Sequence, residues 1–454
     1  MDSTVLIVLV VLVGLILLNV PIAFSLLVSG MLGILLLQGA GVTGAALGTI
    51  PYAATESYSL ILIPLFIFMG TLLSQTGIAE RMFKTGNLLV GRLRGGLPLT
   101  AIFAGTLFGG VSGSSAADAA TIGRISIGEM RRYGYPAHYA AAVVAATATV
   151  SILIPPSIVL VLYGIITQES IGALLLAGFI PGLITSLLYA AWVIAVSPWY
   201  RRSGRAVDDA AGIEPTPAVP EALRPASRRT WLTTIGALSG GAYTAVIFLV
   251  VVGGIYAGVF TATESAAVGT FVAILLGLFR MRGRPGKLRA LKDSLTETVA
   301  TSSMVFTILI GGAVFAFFIL RSGMPSTFTS WIISLDLPPI VVVLLLIAAM
   351  LPLGMILDGL SMLLIVVPLT YPVITALGFD GIWFGIILVV TVEVGLLTPP
   401  VGINVFITSG LVKGLQVEKV FLHVVPFILL NGVMIGLLIA FPEIALWLPA
   451  LMVR

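Results

Sequence analysis

The sequence predicts an all-α polytopic membrane fold built as an inverted repeat, with two re-entrant hairpins and two discontinuous helices. Three observations carry that expectation. Of the 454 residues 59% are hydrophobic and 9% charged, with mean hydropathy +1.16; a soluble chain carries about 25% charged residues. The apolar runs recur near the ~20 residues that cross a bilayer. A pattern of broken backbone also occurs twice. Gly109-Gly110-Val111-Ser112-Gly113-Ser114-Ser115 leads to Asp118 and then to Ile154-Pro155-Pro156-Ser157. Pro352-Leu353-Gly354 leads to Asp358 and then to Thr398-Pro399-Pro400-Val401-Gly402-Ile403-Asn404. The acid precedes the Pro-Pro pair by 37 residues in the first copy and 41 in the second.

In chain order, full crossings are expected at 4–19, 21–38, 59–76, 137–168, 171–196, 232–258, 263–280, 304–320, 381–412 and 418–449. Asp2 with no basic residue before the first run argues against a signal peptide and for a first span. Pro21 separates the first two spans. Apolar stretches 97–122 and 337–372 carry a break near the middle and are expected to enter and leave on the same side. Segments 43–57 and 286–302 are less apolar and are expected to lie along the membrane surface as interfacial arms. The chain thus divides into 1–58 (scaffold and first arm), 59–196 (repeat 1, with hairpin 97–122 and broken helix 137–168), a linker at 197–230, 231–303 (scaffold and second arm), and 304–449 (repeat 2, with hairpin 337–372 and broken helix 381–412).

Charge tests the hairpins. With both re-entrant, 21 of the 23 Lys and Arg fall on one side, Arg124, Arg131 and Arg132 among them, and only Arg321 and Arg454 lie opposite. A simple crossing at 97–122 would move Arg124, Arg131 and Arg132 away from Arg81, Lys84, Arg92 and Arg94, against the positive-inside bias. Both termini then lie outside, in the periplasm of a bacterium. The copies acquire opposite orientations, with Gly77 matching Gly323, Pro155 matching Pro399, and Pro181 matching Pro426. Paired breaks in inverted repeats mark a transporter's binding site.

The chemistry follows from the backbone. An unpaired N–H or C=O costs several kcal/mol in hydrocarbon, so broken backbone persists there only when buried in protein or lining a cavity. Each Pro-Pro pair lacks donors and frees carbonyls near 149–153 and 393–397. Such carbonyls, with Ser and Thr hydroxyls, suit a small cation such as Na⁺; half-helix N-termini suit an anion. Asp358 is expected beside the second cation site, with Thr398 and Asn404 as liners. Asp118 is either a ligand or, within Ser115-Ala-Ala-Asp118, a helix cap. Glu393 is either a proton-coupling acid or a hydrogen-bonded helix acid. Glu264, at a helix start, reads as structural, and His138 and His423 as interfacial. No Ser-His-Asp spacing supports an enzyme, and no phosphate loop or nucleotide-binding domain is present. The basic residues sit in loops between spans and give no nucleic-acid footprint. Cys is absent, which excludes thiolate chemistry.

Five stretches together carry a resemblance over essentially the whole chain. They are Ile63-Pro64-Leu65-Phe66-Ile67-Phe68-Met69-Gly70, residues 109–123, Ile154-Pro155-Pro156-Ser157, Gly258-Val259-Phe260-Thr261-Ala262-Thr263-Glu264-Ser265-Ala266-Ala267, and Leu397-Thr398-Pro399-Pro400-Val401-Gly402-Ile403-Asn404. In these the chain resembles the large membrane subunit of tripartite ATP-independent periplasmic (TRAP) transporters, departing where Ala262 replaces a Pro. The resemblance implies an elevator-type transporter in a bacterial inner membrane that couples Na⁺, two or more ions, to uptake of an organic acid such as a C4-dicarboxylate, sugar acid or keto acid. It implies two protein partners: a separate small four-helix membrane subunit and a periplasmic solute-binding protein. Carried onto this chain, Na⁺ would be held by Ser112, Gly113, Ser114 and Ser115 with the Pro155 break, and by Gly354, Asp358, Gly395, Thr398 and Val401. The substrate would meet Ser114, Ser157, Asp358, Pro399 and Asn404 between the tips. The alternative is a stand-alone Na⁺/carboxylate symporter without a binding protein.

Overall fold

The computed structural model describes residues 3–210, 241–280 and 287–451. Its regular structure among these residues is helical. The first scaffold elements are α1 (Ser3–Leu17) and α2 (Ile22–Thr55), with Pro21 fixing the turn between them. Where a span followed by a separate arm at 43–57 was expected, α2 runs on as one element bent at Gly39, whose φ of 82° is a conformation that side chains resist.

Repeat 1 then unrolls. A short 3₁₀ turn, Tyr58–Ile61, leads into α3 (Leu62–Gln75), and left-handed Gly77 (φ 74°) turns the chain into amphipathic α4 (Ile78–Leu89). The first hairpin is α5 (Gly96–Ser112) and α6 (Ser115–Arg132). The first broken helix is α7 (Ala137–Val150) and α8 (Ile158–Thr167), followed by α9 (Ile171–Ala210). Two helices intervene: α10, described over Gly241–Tyr256 and containing a π turn at Leu249–Gly253, and α11 (Ala262–Arg280).

Repeat 2 follows the same order. Long α12 (Lys287–Arg321) ends at left-handed Gly323 (φ 68°), which opens short α13 (Met324–Ser334). The second hairpin is α14 (Pro339–Gly354) and α15 (Gly359–Ala376). The second broken helix is α16 (Gly381–Leu397) and α17 (Ile403–Gly410), and α18 (Val417–Ala440) and α19 (Glu443–Ala450) close the chain. Seven described helices are long and apolar enough to cross a membrane, α2, α9, α12 and α18 among them.

Several elements differ from the sequence expectation. α12 unites the arm at 286–302 with the span at 304–320, because no Gly or Pro interrupts residues 288–310. Pro442 ends α18, so 418–449 is two helices. The helix of α9 extends into the linker, and Asp208 there pairs with Arg131 at 3.2 Å and accepts the Ala137 N–H at 2.9 Å. That ties the end of α9 to the base of the first hairpin and the start of α7. Residues 211–230 of the linker, and 232–240 of the next span, lie outside the described residues. The small helices α4 and α13 were not foreseen.

Two packing facts position the site. α7 is buried at every residue and α16 at all but Ile382, as expected of helices that are apolar all round. These two rods form the centre, clasped by the hairpins, α9 and α18. Along the scaffold, α2 and α12 run parallel. A Cβ on Gly311 would stand 2.1 Å from the Ala23 carbonyl oxygen, and one on Gly30 2.7 Å from the Phe315 nitrogen. Small residues permit that approach of backbones, the usual basis of helix association in lipid.

Candidate functional site

The tip of the first hairpin is two residues wide. Gly113, at φ 63°, ends α5 and donates to the Gly109 carbonyl at 3.1 Å. Ser114 is extended, and its hydroxyl accepts the Ala117 N–H at 3.4 Å, which makes it the N-cap of α6. The cap is therefore one residue earlier than Ser115-Ala-Ala-Asp118 suggested, and Asp118 sits one turn inside α6, fully buried. A Cβ on Gly109 would lie 3.2 Å from its Oδ2 and 2.2 Å from the Ser151 Cβ, so Asp118 is packed where the first arm meets the first break.

The second tip is wider. Residues 355–357 turn the chain, and extended Asp358 caps α15. Its carboxylate accepts the Leu360 N–H at 3.1 Å, the Ser361 N–H at 3.4 Å and the Ser361 hydroxyl. A carboxylate has about four acceptor sites, so three donors leave Asp358 with about one for anything else.

Each tip abuts a break. The breaks are residues 151–157 and 398–402, and each contains a cis Pro-Pro bond, Pro155–Pro156 and Pro399–Pro400. Gly113 lies so close to the first that a Cβ would stand 2.9 Å from the Pro156 carbonyl oxygen. At the second, a Cβ on Gly395 would stand 2.4 Å from the Gly354 carbonyl carbon, so α14 and α16 meet backbone to backbone. Ser157 caps α8 by accepting the Leu160 N–H at 3.3 Å, and the Thr398 hydroxyl donates to the Val394 carbonyl. Pro156 and Gly354 thus present carbonyl oxygens at points where a side chain would not fit. Ser114 adds a hydroxyl oxygen, and Thr398 another that retains acceptor capacity. This hard-oxygen set fits a small cation.

Both tips open onto one cavity of about 670 Å³. Gly113, Ser114 and Ser115 line it from the first hairpin, Asp358, Gly359 and Leu360 from the second. Ile152 comes from the first break, and Ile158, Leu396 and Ile403 from the helix ends beside the two breaks; Thr71, Gln75, Glu297 and Thr301 face them from α3 and α12. Among the residues singled out from sequence, Gly113, Ser114, Ser115 and Asp358 thus meet on one wall. Pro155, Ser157, Gly354, Gly395, Thr398, Pro399, Val401 and Asn404 lie outside the lining. Ser112 ends α5, and its side chain falls outside the described residues. Asn404 is fully buried, with neither amide atom hydrogen-bonded among the described residues. Glu393 is likewise buried, with both carboxylate oxygens unpaired there. Among the lining residues not anticipated as site residues are Arg124, Gln75 and Glu297. Arg124 had been counted as loop charge, and the signal that could have found it is its helical register with Ala117, Ala120 and Thr121.

Comparison with known proteins agrees with this architecture. Residues 9–444 match the family described as the tripartite ATP-independent periplasmic transporter, DctM component. The chain belongs to that family. It is 34% identical to the C4-dicarboxylate TRAP transporter large permease protein DctM of Pseudomonas aeruginosa, over 94% of this chain and 93% of that one. It is 31% identical to the sialic acid TRAP transporter large permease protein SiaM of Vibrio cholerae, over 96% of each. Among solved structures it superposes on the Alcanivorax borkumensis YdaH transporter with TM-score 0.61 and 15% identity, over 91% of each chain, a likeness of fold. This chain is thus a multi-pass membrane component of a TRAP transporter rather than an enzyme.

Proposed function

We propose that this subunit carries an organic acid into the cell, driven by Na⁺, after a periplasmic solute-binding protein delivers it. The observation that supports this most is the single cavity shared by both hairpin tips, with hard-oxygen backbone at each adjoining break. Relatives named for C4-dicarboxylate, sialic acid and isethionate transport, from P. aeruginosa, V. cholerae and Oleidesulfovibrio alaskensis, point to acids as the cargo class. The isethionate relative is named DctMQ, and this chain covers 56% of its length; that suits a separate small membrane subunit as partner here. In this reading the hairpins and broken helices move as an elevator against α2, α3, α11 and α12, in the bacterial inner membrane with both termini periplasmic. Two Na⁺ entering with a monoanion carry net positive charge, and each charge crossing 100 mV contributes about 2.3 kcal/mol.

The test is reconstitution of the large and small subunits in liposomes, with candidate binding proteins, labelled organic acids and an imposed Na⁺ gradient. Uptake that requires both the gradient and a binding protein is expected. Uptake without any binding protein would favour a stand-alone Na⁺/carboxylate symporter. Uptake indifferent to Na⁺ would overturn the coupling.

A further inference from the structure

Among the described residues, three charged side chains line the cavity: Asp358 at the second tip, Arg124 on α6 and Glu297 on α12. Asp358 is largely occupied as a cap. Arg124 is exposed on the cavity wall, and among the described residues it makes neither an ion pair nor a hydrogen bond. It ends the stripe Ala117, Ala120, Thr121, Arg124, which runs down one face of α6 from the tip. Nine residues of helical rise place its Cα about 14 Å from Ser115, and a helical side chain leans back toward the N-terminus, here toward the tip. Glu297 lines the facing scaffold wall and is also unpaired among the described residues.

The formal charge of these three groups is −1, which repels an anionic cargo. An anion therefore needs a local cation. A guanidinium suits the task, being permanently charged, weakly hydrated and shaped for bidentate carboxylate contact.

We propose that Arg124 is a specificity-determining residue that binds an anionic group of the cargo within this cavity, and that Glu297 competes for the same guanidinium from the opposite wall. The proposal rests on the organic-acid uptake reading and adds a residue to it. Its chemistry selects a carboxylate, or an equivalent oxyanion, placed well away from the tips. That arrangement favours an acid longer than a four-carbon chain, or one carrying a second acidic group.

The test uses the reconstituted complex with its binding protein. Arg124→Gln is expected to raise the KM for the transported acid roughly tenfold or more, the scale of a lost charged hydrogen bond, with Arg124→Lys in between. Glu297→Gln is expected to lower KM several-fold. A KM within about twofold of wild type in Arg124→Gln would overturn the proposal, as would the same direction of change in both neutralised variants, which would signify a structural role.

A second readout is independent of transport. The chain has no cysteine, so Ala120→Cys can be modified by anionic and cationic methanethiosulfonates. The anionic-to-cationic rate ratio should fall by about tenfold in Arg124→Gln and rise in Glu297→Gln. An unmoved ratio alongside normal uptake sinks this proposal alone. Absence of acid uptake by the wild-type complex sinks the functional reading, while leaving the ratio to report the charge of the cavity.

Discussion

Residues 151–157 of the first break are buried throughout, whereas in the second Pro399 and Pro400 are exposed and Val401 keeps 36% of its surface. The neighbours account for the contrast. The first break is gripped by α9, where a Cβ on Gly178 would stand 2.3 Å from the Leu153 carbonyl oxygen and one on Gly182 2.8 Å from Ile154. The opposite side is closed by Gly109 and the Gly113 tip. At the second break it is the Phe421 ring of the matching helix α18 that stands against Gly402. The same sequence pattern therefore produces a cis Pro-Pro break twice but two different surroundings. One half-site is enclosed, and the other stands at the surface of this chain. Freed backbone is tolerated in a membrane only when covered or facing water, so the second break requires a polar or protein neighbour that the first already has.

Cysteine labelling offers the sharpest way to break this contrast. Val401→Cys and Ser151→Cys differ by few atoms from the native side chains. Val401→Cys is expected to react with a maleimide at least about a hundredfold faster, since a buried site reacts only through local opening that costs a few kcal/mol. Equal rates would mean that the first break also opens to solvent, and the asymmetry would be lost. Addition of the small subunit should slow Val401→Cys only if that partner covers the second break.

Packing gives the next largest effect. Gly395→Val forces a side chain into the Gly354 backbone, where a Cβ alone would reach 2.4 Å. Overpacking of this kind costs about 1–3 kcal/mol and sometimes more. A clear drop in the thermal midpoint of the purified protein is expected, together with loss of uptake. Gly323→Ala, whose Cβ approaches nothing nearer than the Ser326 hydroxyl at 3.9 Å, pays only the left-handed backbone cost and should fall much less. If the two variants proved equally stable, the backbone contact would not be what joins the second hairpin to its broken helix.

The acid at the second tip comes next. Asp358→Ala removes an N-cap with three donors, a loss of about 1–2 kcal/mol, and should also raise the Na⁺ concentration needed for half-maximal uptake. Asp358→Asn keeps most of the cap and removes the charge. A Na⁺ titration unchanged in Asp358→Asn would leave this residue as a cap and nothing more.

The spans, the hairpins and the breaks were legible because Gly, Ser and Pro interrupt runs long enough to cross a bilayer. What was not legible was decided by register and by neighbours. The cap of α6 falls on Ser114 rather than Ser115 because Gly113 takes the left-handed conformation. With that one-residue step Asp118 lies inside the first turn of α6 and is buried, while the Asp358 carboxylate is itself the N-cap of α15. α4 escaped notice because an amphipathic helix carrying Arg81 and Lys84 has the composition of a loop. Arg124 was hidden for a related reason: a charge count assigns a side, whereas only the helix shows that this residue faces the cavity.

Ser114 yields the smallest expected change and separates two roles that share one hydroxyl. As a cap it accepts the Ala117 N–H over a long 3.4 Å, so Ser114→Ala should cost about 0.5–1 kcal/mol, the low end for caps. Ser114→Gly should cost only a few tenths, because glycine is itself an acceptable N-cap. If capping is its whole contribution, the glycine variant regains both stability and Na⁺ dependence. If the hydroxyl is also a cation ligand beside the Pro156 carbonyl, the glycine variant regains stability while its Na⁺ dependence stays weakened. The enclosed first half-site makes this separation measurable, since its geometry is held by Gly109, Gly178 and Gly182 rather than by the cap. At the second tip the cap and the charge reside in the same carboxylate, and no single substitution there divides them as cleanly.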